Sequence, residues 1–136
     1  MLKRPSLRMT RQRQVILEEL RATDRHPSAD DLYERVKQRL PRISLGTVYR
    51  NLEILTALGE IQTIAQAGSL KRFDGTPKHH YHMRCLHCES LTDAPVEVID
   101  SLERALQEKT AFRVLGHQLE FTGICPDCKT ALDEKD

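Results

Sequence analysis

The stretch "SLGTVYRNLEILTALG" at residues 44–59 carries the pattern that decides the fold of the N-terminal half. Its apolar residues recur at helical spacing, and Ser44 and Gly59 are typical of the start and the end of a helix. The predicted buried stripe consists of Leu45, Val48, Leu52 and Leu55. The opposite, outward face consists of Gly46, Tyr49, Arg50 and Glu53. We therefore predict an amphipathic helix that turns a tyrosine and an arginine away from the core.

Two helix patterns precede this segment and two strand patterns follow it. Thr10 can cap a first helix, and "PSADDLYERVKQRLP" predicts a second helix with Ser28 and Asp31 as a capping box. "IQTIA" and "LKRFD" predict two short strands that are joined by a "QAGS" turn at residues 66–69. Three helices and a hairpin form a winged helix-turn-helix, in which the third helix enters the major groove of DNA.

The two halves of the chain carry opposite charges, which the overall net charge of +1 hides. Residues 1–75 hold 14 Lys/Arg against 9 Asp/Glu, a net of +5, and residues 76–136 hold 7 against 11, a net of −4. A basic lobe suits a polyanion such as nucleic acid, and a solvated basic face is the alternative.

Four side chains of the basic half are candidates for contact with double-stranded DNA. Arg50 can form two hydrogen bonds with guanine, and Tyr49 can touch a thymine methyl group or a phosphate. Arg8 and Arg11 lie before or at the start of the first helix, where they can reach phosphates or the minor groove. The alternatives are that Tyr49 packs on a neighbour and that Arg50 pairs with Glu53.

The acidic half predicts a small α/β lobe with an antiparallel sheet. "HYHMRCL" and "SLTDA" are typical of short strands, "APVEVIDSLERALQEKT" of a helix and "FRVLGHQLEFTGIC" of one long strand, and we expect the last eight residues to fray. Such a lobe leaves an open sheet edge, so we expect a homodimer that hides this edge. The predicted fold class is α+β, with a winged-helix DNA-binding domain at 1–75 and a dimerisation and metal-binding domain at 76–136.

Four cysteines form two C-x-x-C knuckles, Cys85 with Cys88 and Cys125 with Cys128. Two such knuckles complete a tetrahedral sulfur shell for structural Zn(II). The sequence has no apolar signal segment and no apolar run that could span a membrane, so we expect a cytoplasmic protein with no membrane partner. Two disulfides, which are rare in that compartment, and thioredoxin-like exchange are the alternatives.

The stretch "HHYHMRCLHC" at 79–88 places four histidines beside the first knuckle. His80 and His82 alternate on a predicted strand, so both imidazoles project to one face. His26, Asp74 and Asp93 are further nitrogen and oxygen donors. Together they would make a mixed shell for Fe(II), Mn(II) or Zn(II), but a solvated surface role is the alternative for each residue taken singly.

Six blocks, in order, resemble those of the ferric uptake regulator family over essentially the whole chain. The blocks are "TRQRQVILEEL", "HPSADDLYERV", "ISLGTVYRNLEILTALGEI", "RFDG", "HHYHMRCLHC" and "CPDC". The resemblance implies a dimeric, metal-dependent repressor that binds operator DNA through its winged-helix lobe. It implies structural zinc on Cys85, Cys88, Cys125 and Cys128. It implies a regulatory Fe(II) or Mn(II) at His26, Asp74, His80, His82 and Asp93.

The acidic ligand positions indicate a branch of that family. Asp74 and Asp93 are similar to the peroxide-sensing branch, whereas iron sensors tend to place glutamate at these positions. Arg50 stands where some peroxide sensors carry asparagine, which keeps an iron-responsive or other metal-uptake repressor as the alternative. Some iron sensors have a further ion site, three of whose positions match residues of this chain. Those residues are His79, Asp100 and His117, and Tyr81 replaces the fourth position, an acid, which weakens a hard-ion shell.

Two other classes of function remain open from the sequence. A mononuclear metalloenzyme could use the His/Asp donors, but such a shell leaves little room for substrate and no substrate pocket is indicated. A zinc-stapled interaction module would need no DNA contact from Tyr49 or Arg50. We expect a regulator and not an enzyme, because an ion shared between two lobes acts as an effector that fixes the angle between them.

Overall fold

The computed structural model describes residues 9–65 and 70–134, and the chain divides into two compact units, residues 1–78 and 79–136. The N-terminal unit contains α1 (Arg11–Arg21), α2 (Ala29–Val36), α3 (Leu45–Ala57), β1 (Gln62–Ile64) and β2 (Arg72–Asp74). The C-terminal unit contains β3 (His82–Cys85), β4 (Leu91–Asp93), α4 (Ser101–Gln107), β5 (Glu120–Gly123) and α5 (Pro126–Asp133). This arrangement is the α+β class that the sequence predicts. Within the two described ranges, no helix is both long and apolar enough to cross a membrane.

Each helix of the N-terminal unit begins at the cap that the sequence indicates. The hydroxyls of Thr10 and Ser44 each accept a hydrogen bond of 3.1 Å from the backbone amide three residues further on. Ser28 forms a reciprocal capping box with Asp31. Gly59, with φ of 74°, follows α3 in the left-handed region that favours glycine. Because a cap satisfies an amide that the helix leaves without a partner, each contributes about 1 kcal/mol.

The three helices and the hairpin enclose one apolar core. Its members are Val15, Ile16, Leu17, Leu20, Ala29, Leu32, Val36, Ile43, Val48, Leu52, Leu55, Ile61 and Phe73. β1 and β2 are antiparallel, with Gln62 opposite Asp74, and Phe73 brings the hairpin into the helical core. The unit is therefore the predicted winged helix-turn-helix. The predicted "QAGS" turn at 66–69 lies outside the described residues.

Two details of this unit differ from the sequence prediction. Leu45 is only partly buried, whereas the polar Asn51 is buried on the inner side of α3. α2 ends at Val36 and not at the following proline, because the chain tightens into a turn in which the amide of Leu40 still bonds the Val36 carbonyl at 2.9 Å.

The C-terminal unit is built on a three-stranded sheet with β3 between β4 and β5. β3 and β4 are antiparallel, with His82 opposite Asp93. β5 pairs with the other edge of β3 in parallel, with Cys85 opposite Gly123. The prediction of a purely antiparallel sheet is therefore wrong, and the sheet is mixed. The long connection through α4 brings the chain back to the end of the sheet at which β3 begins, so β5 runs parallel to β3.

Three elements of this unit differ in length from the prediction. One strand over 112–125 is wrong: only Glu120–Gly123 pairs, because β3 offers partners only along His82–Cys85. α4 covers Ser101–Gln107 and so is shorter than predicted at both ends. Pro126–Asp133 is a helix, although we expected the last eight residues to fray, because proline suits the first helical turn and here lies within the knuckle between Cys125 and Cys128.

Candidate metal centres and DNA-facing surface

The four cysteines come together at one end of the C-terminal sheet. Cys85 ends β3, Cys125 is the N-cap of α5, and their partners lie three residues further on. All four sulfur atoms lie within 4.8 Å of one another, and all four residues are free thiols. The Sγ atoms of Cys88 and Cys125 are 3.8 Å apart. That distance matches the sulfur–sulfur edge, about 3.8 Å, of a tetrahedron with zinc–sulfur bonds of about 2.3 Å.

Backbone amides prepare this cluster to carry negative charge. The amides of Cys125 and Cys88 donate to Cys85 Sγ at 3.3 and 3.4 Å, and these bonds lower the pKa of Cys85 to about 6. The hydroxyl and amide of Ser90 lower the pKa of Cys88. The neighbouring thiol of Cys125, followed by burial, raises the pKa of Cys128 to about 12. Because a zinc ion binds thiolates, its binding would release the protons of those cysteines that are still thiols.

His26 and Asp74 form a buried pair within the N-terminal unit. His26 Nε2 lies 3.5 Å from Asp74 Oδ2, and the two side chains are 5% and 3% exposed. The guanidinium of Arg72 donates to the His26 carbonyl at 3.0 Å, and the amide of Phe73 donates to the Pro27 carbonyl at 2.9 Å. The strand that carries the carboxylate is thus fastened to the loop that carries the imidazole.

His80, His82 and Asp93 form a second donor group within the C-terminal unit. Asp93 Oδ1 lies 2.7 Å from His80 Nε2 and 3.7 Å from His82 Nε2. The pairing of β3 with β4 sets these distances, because it places His82 directly opposite Asp93. Imidazole nitrogen and carboxylate oxygen are the donors that Fe(II) and Mn(II) accept. The chain therefore has a thiolate centre for zinc and His/Asp donors for a second kind of ion.

The residues proposed for a further ion site are arranged differently. His117 Nε2 lies 2.5 Å from the hydroxyl of the fully buried Tyr81, and its Nδ1 lies 3.0 Å from Glu103 Oε1. The amide of Ile99 also donates to the Tyr81 hydroxyl, at 2.9 Å. The ring of His79 packs edge-on against His117 with centroids 5.7 Å apart.

Asp100 sits at the N-cap of α4 without a side-chain capping bond. Glu103, one turn further on, is therefore the acid that reaches His117, and sequence reasoning missed it. The local sequence pattern does not predict this contact, because it joins α4 to a later segment that the sequence predicts to be a strand. Within the described residues, His79, Asp100 and His117 do not form a cluster with metal-binding spacing.

The candidate DNA contacts lie on the exposed surface of the winged-helix unit. Tyr49 and Arg50 are exposed on α3, and Arg11 is exposed at the start of α1. In the described ranges Arg50 has no ion pair with Glu53, so the guanidinium is not held by that alternative partner. Arg8 lies outside the described residues.

A partly buried polar contact holds α3 against α1. The Nε atom of Arg13 donates to Asn51 Oδ1 at 2.9 Å, and Asn51 Nδ2 donates to the Thr47 carbonyl at 2.9 Å. Because Asn51 is polar, its position on the buried side of α3 could not be read from the apolar stripe.

A winged helix joined to a thiolate zinc centre and His/Asp donors defines a metal-responsive transcription regulator. The match to the ferric uptake regulator family covers residues 4–122. The chain belongs to this family, whose members are transcription regulators.

Relatives and solved structures agree with this membership. The peroxide-responsive repressor PerR of Staphylococcus saprophyticus is 35% identical over 128 residues, covering 94% of this chain and 86% of that protein. A zinc-bound manganese uptake regulator superimposes with a TM-score of 0.69 at 29% identity, covering 88% of this chain and 91% of that one. The Campylobacter jejuni peroxide stress regulator gives a TM-score of 0.68 at 28% identity, with coverages of 86% and 88%.

Proposed function

We propose that this protein is a peroxide-responsive repressor whose regulatory Fe(II) or Mn(II) holds a homodimer in the form that binds operator DNA. The observation that carries the proposal is the pairing of aspartate with histidine in both units, Asp74 with His26 and Asp93 with His80. Both acids are aspartates. Aspartate at these two positions is what the sequence's resemblance to the peroxide-sensing branch implies. The similarity to peroxide-responsive repressors over 94% of the chain supports the same conclusion.

The proposed regulatory ion takes donors from both units, namely His26, Asp74, His80, His82 and Asp93. An ion that binds all five restricts the angle between the DNA-binding unit and the dimerisation unit, so it selects one spacing of the two recognition helices. Operator DNA selects the same spacing. Ion and DNA must therefore strengthen each other's binding by the same factor, typically about 5–150-fold.

The proposed dimer covers apolar surface that a single C-terminal unit leaves open. Phe112 and Leu115 are 80% and 85% exposed, and Phe121 on β5 is also exposed. Among the residues that the structure describes, β3 is the one strand that pairs with β5, so the other edge of β5 offers backbone groups for a further strand. A symmetric partner would cover both features. A repressor of operator DNA acts in the cytoplasm of a bacterial cell, and we place this protein there.

Peroxide sensing would reside in the ligands themselves. Fe(II) held by the proposed ligands would supply the redox chemistry that activates peroxide. Overall, one peroxide molecule would transfer one oxygen atom to the imidazole ring of His26 or His80 and leave as water. An oxidised imidazole is a poorer ligand, so the ion would no longer restrict the angle between the DNA-binding unit and the dimerisation unit. The protein would then release DNA. Mn(II) does not readily supply this chemistry, and the manganese form should resist peroxide.

The test compares the Fe(II) and Mn(II) forms on a duplex selected from a random library by the Mn(II)-loaded protein. Low peroxide should release DNA from the iron form alone, with one added oxygen atom in the peptides that contain His26 or His80. Iron-loaded protein that keeps its histidines unmodified and its DNA bound would establish a plain metal sensor instead. Arg50 is the residue that favours this second candidate, an iron-responsive or other metal-uptake repressor.

A further inference from the structure

A cleft of about 450 Å³ opens on the winged-helix unit beside the start of the recognition helix. One wall is the first turn of α1, with Arg11 and Gln12, and the other is the connection from α2 to α3, with Arg39 and Arg42. Leu40 and Pro41 line its apolar part. Three arginines therefore border one small, largely apolar cleft, and only Arg11 belongs to the DNA contacts considered above.

The three arginines differ in how firmly they are held. Arg39 donates to Glu18 Oε2 at 2.8 Å and lies 3.5 Å from Glu19 Oε1, so its guanidinium has a fixed position and is largely neutralised. Arg42 is exposed and, across the described parts of the chain, has neither an acidic partner nor a hydrogen bond. The cleft thus combines one fixed wall with uncompensated positive charge, which suits an anion better than a second protein side chain.

The position of the cleft indicates which anion it meets. Arg42 precedes Ser44, the N-cap of α3, by two residues, and the exposed face of α3 carries Tyr49 and Arg50. In helix-turn-helix proteins the recognition helix enters the major groove while the preceding helix crosses the DNA backbone. A connection between those two helices therefore lies over the phosphates that border the groove. Arginine binds a phosphate through two parallel N–H groups, which fixes orientation as well as charge.

We propose that this cleft binds a backbone phosphate of operator DNA through Arg42 and Arg11, while Arg39 shapes its wall. The inference rests on the proposed function as a DNA-binding repressor and adds an anchoring contact that reads no base. Its role would be to set the register of α3 in the groove, because phosphate contacts position a protein on DNA without specifying sequence.

The test measures DNA affinity against salt concentration for the full-length, metal-loaded protein. The two probes are the selected operator duplex and a random duplex of equal length. Arg42→Gln should weaken both by roughly 10-fold and lower the slope of log affinity against log salt by about 1. Arg42→Glu should weaken both further. Lys37→Gln is the matched control, since Lys37 carries the same charge in the same unit, pairs with Glu34 and does not line the cleft.

If both Arg42 variants keep the wild-type salt slope while the wild-type protein shows ion-dependent DNA binding, the cleft does not bind a DNA phosphate. The proposed function would then still stand. Wild-type protein that binds neither duplex would overturn both. A second arm titrates inorganic phosphate and a nucleoside monophosphate without DNA. The cleft would be a small-anion site instead if the protein bound either anion at micromolar concentration and Arg42→Gln abolished this binding without changing the salt dependence of DNA affinity. Absence of such binding, with the altered slope, supports the DNA phosphate.

Discussion

The imidazole of His26 faces the carboxylate of Asp74 across 3.5 Å, and both side chains are almost completely buried. Two hydrogen bonds fasten β2 to the loop before α2, one from the Arg72 guanidinium to the His26 carbonyl and one from the Phe73 amide to the Pro27 carbonyl. Two donors in such a rigid setting need little ordering when an ion binds. The donors of the other unit are less enclosed, since the Asp93 side chain is 53% exposed.

This difference suggests where the response to ions can be removed without harming the fold. We expect His80→Ala and Asp93→Ala to abolish the ion dependence of DNA binding, a loss of roughly 1–3 kcal/mol of coupling. Both variants should keep their structural zinc and their dimeric state. Gel-shift titrations with and without Mn(II), together with zinc analysis, measure these properties. The control is Asp100→Ala, which should respond like the wild type, and wild-type ion dependence in Asp93→Ala would mean that the ligand set is wrong.

The cysteine cluster should be part of the folding energy of the C-terminal unit. That unit has few buried apolar side chains, and α4 and α5 bury none. Cys85→Ser or Cys125→Ser should therefore unfold it and dissociate the dimer, because thiolate–zinc bonds replace a missing core. Circular dichroism, sedimentation and zinc content read this out. His87→Ala, in the same knuckle but exposed, should be silent. A folded, metal-free dimer of Cys85→Ser would contradict the prediction.

Asn51 should stabilise the recognition helix without touching DNA. Asn51→Ala removes the acceptor of Arg13 Nε and leaves that partly buried group without this bond. The expected loss is about 1–3 kcal/mol in the free energy of unfolding, measured with urea. Glu53→Ala, on the exposed face of the same helix, provides the comparison and should change stability by less than about 0.5 kcal/mol. Equal stabilities for the two variants would show that the Arg13 contact contributes nothing.

We expect two bound ions per chain, one on the cysteines and one on the His/Asp donors. Both nitrogens of His117 already contact protein groups, the hydroxyl of the buried Tyr81 and the carboxylate of Glu103. His117→Ala should keep the metal content at two while lowering the melting temperature, because Tyr81 loses a partner. Plasma mass spectrometry after equilibration with Mn(II) and Zn(II) counts the ions. A wild-type content of three ions that falls to two in His117→Ala would instead support the further ion site.

Local sequence determined the elements whose hydrogen bonds are short in range. The sequence predicted several such features, because each depends on residues within a few positions of one another. They are the caps Thr10, Ser28 and Ser44, the apolar stripe of α3 and the two cysteine knuckles. The resemblance of ordered blocks added the family and the ligand positions. Those predictions concern which residues act together, and they did not require the path of the chain between them.

Only the tertiary structure decided the contacts between distant segments. The parallel pairing of β5, the bond from Arg13 to Asn51 and the contact of Glu103 with His117 each join elements that are far apart in sequence. The cleft that brings Arg42 beside Arg11 has the same origin. Such contacts depend on how whole elements pack around a core, and packing energy is spread over many side chains that carry no local signature.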